Sequence, residues 1–356
     1  MKSFYIGKYE IRLPIVQGGM GVGVSLNGLA AAVANEGGVG VISAAGLGLL
    51  YPTHRGTYLE KCVYGLQEEL RKAREKTRGV IGVNIMVALS NFADMVRTAI
   101  EAKADVIFAG AGLPLDLPSY LTPGSTTRLV PIVSSSRAAR LICEKWSAGY
   151  GYLPDAIVVE GPKAGGHLGF RQEQIDDENF SLEHLVPEVV EVAESYADRK
   201  HIPVIAAGGI ATGGDIARFL ELGAEAVQMG SIFVPTDECD AAEEFKRVYV
   251  DARREDVRII QSPVGMPGRA FDGEFIRSVA EGKERPCSCS FHCIRTCDYR
   301  KSPYCIIKAL YNAARGNMKK GYAFAGGNAY LADRIRSVRE VVEKLKADFL
   351  LTKIQA

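Results

Sequence analysis

The sequence has almost no net charge. Its 43 Lys and Arg residues are balanced by 42 Asp and Glu residues, which leaves a formal charge of +1 at pH 7, and no basic cluster stands out. Nucleic acids and anionic membranes attract proteins that concentrate positive charge on one surface, so we expect neither as a partner.

Long hydrophobic runs are also absent. The longest apolar stretch, residues 37–50, is too short and too rich in glycine to span a bilayer. The first ten residues lack the apolar core of a signal peptide. We therefore expect a cytoplasmic protein that acts on a small-molecule substrate.

Apolar residues and glycine are abundant. Of the 356 residues, 47% are hydrophobic and 38 are glycines. A chain of this length can bury a large core, and so many glycines indicate many tight loops. One large domain with an appendage fits these properties.

Eight short β-rich runs alternate with segments of helical periodicity. The predicted strands span residues 14–17, 39–43, 80–85, 105–108, 129–133, 155–160, 203–206 and 226–229. The predicted helices span residues 26–35, 58–76, 92–102, 136–148, 185–196, 214–222 and 241–253. Strands that are mostly apolar throughout and are each followed by a helix indicate a parallel sheet covered by helices. The count of eight favours a (β/α)8 TIM barrel, and a doubly wound sheet is the alternative.

The loop after the sixth predicted strand is the most informative segment. It reads Glu160-Gly-Pro-Lys-Ala-Gly-Gly-His-Leu-Gly169 and follows the apolar run 155–159. Its glycines let backbone N–H groups approach a ligand closely, and His167 can accept or donate a proton near neutral pH. A tight turn in which the histidine only caps backbone groups is the alternative.

Other predicted strands also end in glycine-rich loops, as expected if one face of a barrel contains the site. These loops read Gln17-Gly-Gly-Met-Gly21, Ala109-Gly-Ala-Gly112, Ala207-Gly-Gly-Ile210 and Gly230-Ser231. The glycines after strands seven and eight, with Gly213-Gly-Asp215 opening the next helix, match the phosphate site that barrels form there. For any one loop alone, a short turn is the simpler explanation.

Six motifs between about residues 10 and 275 resemble the nitronate monooxygenase family, formerly called 2-nitropropane dioxygenases, and its relatives the FMN-dependent enoyl-ACP reductases. The motifs are Pro14-Ile-Val-Gln-Gly-Gly-Met20, Gly37-Gly-Val-Gly-Val-Ile42, Gly82-Val-Asn-Ile-Met86, the His167 loop at 160–169, Pro203-Val-Ile-Ala-Ala-Gly-Gly-Ile-Ala211 and Gly223-Ala-Glu-Ala-Val-Gln-Met-Gly-Ser231. The resemblance implies a TIM barrel with non-covalent FMN on its C-terminal face.

The resemblance also implies which residues bind FMN. They are Gly18, Gly19, Met20, Asn84, Gly165, Gly166, Gly208, Gly209, Gly230 and Ser231. The first three would line the isoalloxazine ring and Asn84 would hydrogen-bond it, while the glycines of the later loops and Ser231 would hold the ribityl phosphate region. Backbone donors and a hydroxyl suit a phosphate dianion, so the residue chemistry agrees with the resemblance.

His167 is the predicted catalytic residue, and its motif indicates the cofactor more securely than the reaction. Oxidation of alkyl nitronates with O2 is the first hypothesis. The alternatives are an FMN-dependent enoyl-ACP reductase that uses NAD(P)H and a flavin or iron–sulfur protein of a larger redox assembly.

Two features favour the monooxygenase branch. The chain continues for about 85 residues beyond the segment 262–271, where the enoyl reductases usually end. Within that tail, residues 324–330 resemble the late small-residue segment that closes over the flavin in nitronate monooxygenases. One feature departs from the family, because Ser134-Ser-Ser136 stands where some monooxygenases place a lysine after strand five.

Five of the eight cysteines lie in one short segment, Cys287-x-Cys289-x3-Cys293-x3-Cys297-x7-Cys305. Clustered thiols in a cytoplasmic protein indicate an iron–sulfur or zinc site rather than disulfides, although the spacing fits no standard motif. The predicted ligands are Cys293, Cys297 and Cys305, with Cys287, Cys289 or His292 as the fourth. Free thiols in a surface hairpin are the alternative.

The C-terminal part is predicted to be an appendage. We divide the chain into an FMN-binding barrel at residues 1–280 and a Cys-rich segment with a C-terminal helix at residues 281–356. Apolar residues from Ile335 to Leu345 recur at helical spacing, so this helix is expected to pack on the barrel. A homodimer is one arrangement that the sequence allows, and the sequence does not fix the stoichiometry.

Overall fold

A closed barrel of eight parallel strands forms the centre of the computed structural model, which describes residues 1–286 and 288–355. The strands are β1 (Ile15–Gln17), β2 (Val39–Ser43), β3 (Val80–Met86), β4 (Val106–Gly110), β5 (Arg128–Val133), β6 (Ile157–Glu160), β7 (Val204–Ala207) and β8 (Ala226–Met229). Each strand pairs with its neighbour in sequence, and β8 pairs with β1. The predicted TIM barrel is confirmed and the doubly wound sheet is wrong, because the sheet closes on itself.

Eleven α-helices are described. They are α1 (Asn27–Asn35), α2 (Leu47–Leu50), α3 (Tyr58–Lys76), α4 (Phe92–Glu101), α5 (Ser136–Tyr150), α6 (Leu182–Glu194), α7 (Gly213–Glu221), α8 (Glu243–Asp251), α9 (Glu274–Ala280), α10 (Ile306–Ala314) and α11 (Val338–Gln355). All seven helices predicted between and after the strands are present. None of the helices in the described residues is long and apolar enough to cross a membrane.

The N-terminal residues close one end of the barrel. Two short strands, Phe4–Ile6 and Tyr9–Ile11, form an antiparallel hairpin that turns at Gly7, where φ is +58°. Phe4, Ile6 and Ile11 are buried in the same apolar cluster as the inward-facing residues of the barrel strands. The hairpin precedes β1, so it covers the end opposite the loops that follow the strands.

A three-stranded antiparallel ribbon stands on the other end of the barrel. Strand Val257–Gln261 pairs with Pro267–Phe271, which in turn pairs with the two-residue strand Gly166–His167 of the loop after β6. This ribbon was not predicted from the sequence. It places the turn at residues 262–266 beside the predicted catalytic histidine.

The C-terminal helix α11 completes the outer ring of helices. It packs between α7 and α1, and a Cβ on Gly213 at the start of α7 would overlap its backbone at Leu345 and Phe349. Its apolar residues belong to the same core cluster as the helices around the barrel. The helix thus lies against the helices that surround the barrel, and the division of the chain after residue 280 stays a prediction.

Candidate active site

One large cavity opens at the C-terminal ends of the barrel strands. Its volume is about 780 Å³, within the range of about 300–1,000 Å³ that is typical of small-molecule sites. All eleven residues that the sequence analysis assigned to the flavin or to catalysis line it: Gly18, Gly19, Met20, Asn84, Gly165, Gly166, His167, Gly208, Gly209, Gly230 and Ser231. The topology brings together residues that are more than 200 positions apart.

The loop after β1 forms one part of the wall. A Cβ on Gly19 would overlap the Cβ of Asn84, so glycine is what allows this loop to lie against β3. The buried side chain of Gln17 holds the loop from below, because its amide nitrogen donates to Gly18 O and to Ser25 Oγ, and its oxygen accepts the N–H of Val41. The loop is therefore a fixed surface on which a flat ligand can lie.

The loops after β7 and β8 form a cradle of backbone donors. Gly208 and Gly209 have φ values of +105° and +77°, which favour glycine. Within the described residues, the N–H groups of Gly209 and Gly230 have no protein hydrogen-bond partner. Free N–H groups beside a hydroxyl are what a phosphate dianion requires.

The start of α7 is less available to a phosphate than the sequence suggested. Asp215 accepts hydrogen bonds from the N–H groups of Ala211 and Thr212, at 3.0 Å each, and Thr212 accepts one from Asp215. This capping box satisfies the helix terminus from within. Gly213 contacts α11 rather than the cavity, so the phosphate cradle consists of the two strand-end loops.

The tail segment 324–330 closes over this cradle, as the sequence predicted. Gly326 N–H donates to Ser231 Oγ at 2.8 Å, and Asn328 Nδ2 donates to Gly209 O at 2.5 Å. A Cβ on Gly165 would come within 2.7 Å of Gly326 N, so the His167 loop and the tail segment are in close contact.

His167 projects from the short strand Gly166–His167 into the cavity wall. Its Nε2 lies 2.7 Å from Ser262 Oγ, and its ring packs edge-on against Phe324 with centroids 5.0 Å apart. Burial lowers the pKa of His167 to about 4 because the charged imidazolium is poorly solvated there. The side chain is therefore a neutral imidazole at physiological pH.

Two polar residues at the barrel mouth were missed by the sequence analysis. Glu160 ends β6 and Gln228 lies in β8, and both are in register with Ala207 of β7, so their side chains share the barrel's inner face. Both line the cavity. Burial raises the pKa of Glu160 to about 7. Their signal in the sequence was a polar residue at the end of an otherwise apolar strand.

Beyond the glycine loops, the cavity wall is largely apolar. Its larger apolar side chains include Leu113, Phe170, Phe180, Met266, Leu310 and Phe324. Ser134 and Ser135 line the position after β5 where some family members have a lysine, and Ser135 caps α5 by accepting Ala138 N–H. Two serines thus stand at this point of the wall in place of a cation.

The cysteine segment packs as an apolar layer beside the loop after β3. Cys293 and Ile294 are buried. Ser90 N–H donates to Cys293 O at 3.1 Å, and Leu89 forms an isolated antiparallel β-bridge with Ile294. Across residues 1–286 and 288–355, no three His, Cys, Asp or Glu side chains are placed to hold a metal ion. The predicted ligands Cys293, Cys297 and Cys305 thus gain no support, and Cys287 lies outside the described residues.

The other four histidines, His54, His184, His201 and His292, lie outside the cavity. His184 shares a hydrogen bond of 2.8 Å with Ser181 at the start of α6. His201 pairs with Glu225 at 2.8 Å on the surface. These two side chains are therefore a helix-capping histidine and a solvated, ion-paired one.

Comparison with known proteins identifies a family. The family model described as nitronate monooxygenase matches residues 2–110 and 91–348. A curated relative, the probable nitronate monooxygenase of Staphylococcus saprophyticus, is 26% identical over 299 residues, which cover 77% of this chain and 80% of that protein.

Two solved structures are similar along almost the whole chain. FabK from Thermotoga maritima superposes with a TM-score of 0.72 at 28% identity and covers 97% of this chain and 95% of its own. A nitroalkane oxidase from Streptomyces ansochromogenes superposes with a TM-score of 0.73 at 25% identity. The superposition covers 97% of this chain and 98% of the oxidase. Both alignments extend through the region that follows residue 280.

Proposed function

The chain belongs to the nitronate monooxygenase family and is an FMN-dependent oxidoreductase, and we propose that it oxidises alkyl nitronates with O2. The observation that supports this reaction is the neutral imidazole of His167 in the cavity wall, with its pKa lowered to about 4. A nitronate is already an anion, so it needs a hydrogen-bond donor at its nitro oxygens and no base. With this pKa His167 is almost fully deprotonated at pH 7, so it is itself a poor acid for a reduction that ends in proton delivery.

The cavity fits FMN. The cradle after β7 and β8 provides the Ser231 hydroxyl and the N–H groups of Gly209 and Gly230, which no described residue pairs, for the phosphate. Asn84 and the loop 18–20 provide the surface for the isoalloxazine ring. FMN held by these residues would supply the electron-transfer chemistry between an organic substrate and O2.

The residues of the chain bind and orient the substrate. The neutral imidazole donates a hydrogen bond to the anionic nitro group, and the edge contact with Phe324 fixes the plane of the ring. The apolar wall excludes water, which strengthens that hydrogen bond because the local dielectric constant is low.

Steady-state assays on the purified flavoprotein test the proposal. We expect oxygen consumption with an alkyl nitronate and little NAD(P)H oxidation with an enoyl thioester. His167→Ala should retain FMN and lose roughly a hundredfold or more in turnover, in line with loss of one positioned donor. His184→Ala, which alters a histidine outside the cavity, is the control and should keep full activity.

An FMN-dependent enoyl-ACP reductase that uses NAD(P)H is the second candidate. The apolar side chains that line the cavity, Leu113, Phe170 and Phe324 among them, support it, because they can pack against an acyl chain. Rapid NAD(P)H oxidation with an enoyl thioester, without nitronate turnover, would replace the first proposal with this one. Failure of both assays with intact FMN would favour a flavoprotein of a larger redox assembly.

A further inference from the structure

We propose that Ser262 is the positioning residue of His167: its hydroxyl donates to Nε2 and holds the imidazole as the tautomer with the proton on Nδ1, the nitrogen that Ser262 leaves free for a ligand. The tautomer is inferred from the contacts of Ser262. Only the expected effect on turnover rests on the proposed function.

Ser262 is held rigidly at the first position of the ribbon's turn. Its side chain is buried, with 5% of the residue exposed. Its N–H donates to Met266 O at 3.1 Å, and its carbonyl accepts the N–H of Gly265 at 3.0 Å. Gly265 has a φ of +82°, so the turn depends on glycine there.

The ribbon fixes His167 in register with that turn. Gly268 is the pairing partner of His167, and Leu168 N–H donates to Pro267 O at 2.9 Å. The distance of 2.7 Å between His167 Nε2 and Ser262 Oγ follows from backbone pairing rather than from two mobile side chains. The edge contact with Phe324 restricts rotation of the ring.

The surroundings of Ser262 determine which atom donates. Val264 N–H points at Ser262 Oγ at 3.5 Å, so the oxygen already accepts one hydrogen bond. If Nε2 carried the proton, the buried hydroxyl hydrogen would have no acceptor among the described residues, which is costly. A hydroxyl that donates to Nε2 satisfies both groups and leaves the imidazole proton on Nδ1.

The consequence is a neutral donor aimed at the substrate. Within the described residues Nδ1 of His167 has no protein partner, and the side chain lines the cavity. A histidine side chain free in water prefers the proton on Nε2, so Ser262 maintains the less favoured tautomer. Loss of Ser262 would turn a lone pair of Nδ1 toward the anionic substrate.

Nitrogen-15 NMR of histidine-labelled flavoprotein tests the tautomer without any substrate. The chain has only five histidines, and His167→Ala assigns the signals of His167 by difference. We expect a protonated Nδ1 and an unprotonated Nε2 in the parent protein and in Ser262→Thr, which keeps the hydroxyl. Ser262→Ala should shift His167 to the Nε2-protonated form, while Ser302→Ala, a second buried serine, should leave it unchanged.

Turnover of an alkyl nitronate supplies the second readout. Ser262→Ala should retain FMN and lower kcat roughly tenfold to a hundredfold, because the donor is misdirected in most molecules; Ser262→Thr should restore most of it. An Nε2-protonated His167 in the parent protein, or an unchanged tautomer in Ser262→Ala, would overturn the inference. Absence of nitronate turnover with the expected tautomer would instead overturn the proposed function alone.

Discussion

At the scale of single residues, Glu160 is an acid whose pKa the fold shifts through burial alone. It ends β6 at the mouth of the barrel, in register with Ala207 of the neighbouring strand, and the side-chain hydrogen bonds of the described residues include none to its carboxylate. Burial therefore raises its pKa to about 7 with no compensating donor. An ionised carboxylate that is buried without a hydrogen-bond donor lowers the free energy of unfolding of the ligand-free protein.

The raised pKa of Glu160 predicts that the stability of the protein depends on pH. The pKa of Glu160 is higher in the folded than in the unfolded protein, so the folded form binds more protons between about pH 4.5 and 7 and loses stability as the pH rises through that window. The loss is at most about 3 kcal/mol, and less because the cavity admits water. Glu160→Gln should raise the unfolding free energy of the apoprotein at pH 8 and leave it nearly unchanged at pH 4.5.

Urea titrations of the flavin-free protein at both pH values provide the measurement. Gln174→Glu, which alters another cavity-lining residue in the opposite sense, is a useful comparison. Equal stabilisation by Glu160→Gln at pH 4.5 and pH 8 would show that the effect is one of packing rather than of charge.

The sequence identified some residues of the site and not others for a physical reason. His167 and the glycines stand at strand ends, where periodicity and motif both point to function. Ser262 is 95 positions from its partner His167, and their contact exists only because a ribbon forms between distant segments. The local sequence pattern around either residue does not indicate that these segments pair.

At the scale of elements, the strand-end loops should determine cofactor retention. Gly209 has a positive φ, and a Cβ there would lie 2.8 Å from Lys163 Cβ. Gly209→Val should therefore distort the cradle and release FMN. Gly230→Val should have the same effect, since a branched side chain there would project toward Met20 in the cavity.

Flavin absorbance after gel filtration measures occupancy in these variants. Gly149→Val is the matched control, because a Cβ at Gly149 meets no atom within 4 Å. Full FMN occupancy in both cradle variants would mean that the phosphate lies elsewhere in the cavity.

The cysteine segment shows where sequence spacing did not determine the chemistry. Cysteine counts indicate that thiols are close in sequence, but metal ligation requires that they converge on one point. In the described residues Cys293 is buried among Leu89, Ile294 and Ile307, while Cys289 and Cys297 are half-buried. The metal site at this segment stays a prediction.

Thiol titration distinguishes the two interpretations of this segment. Burial raises the pKa of Cys143, Cys239 and Cys293 to about 12, so we expect these thiols to react slowly with a disulfide reagent at pH 8. Cys289 and Cys297 should react first in protein purified without oxygen. Stoichiometric iron or zinc, with both thiols protected until a chelator is added, would support the metal site instead.

At the scale of the whole molecule, the barrel and the packing of its tail were both expected from the sequence, but the places of α8 and α11 around the barrel were not. Eight apolar runs separated by helical segments specify a barrel by count. The sequence analysis assigned the helix after strand eight to residues 241–253. In the structure, α8 packs beside the cavity through Phe245 and Tyr249, and α11 fills the ring between α7 and α1.

This arrangement predicts that barrel and tail unfold together. Leu345 of α11 is 1% exposed and belongs to the main core cluster, so Leu345→Ala should destabilise the whole protein by about 2–5 kcal/mol. Lys346→Ala, one residue further on and exposed, should have little effect. Thermal unfolding followed by both far-ultraviolet circular dichroism and flavin release should show one transition that shifts downward for Leu345→Ala. An early separate transition, with the flavin still bound, would mean that the tail docks on a self-sufficient barrel and that the division near residue 280 is a true domain boundary.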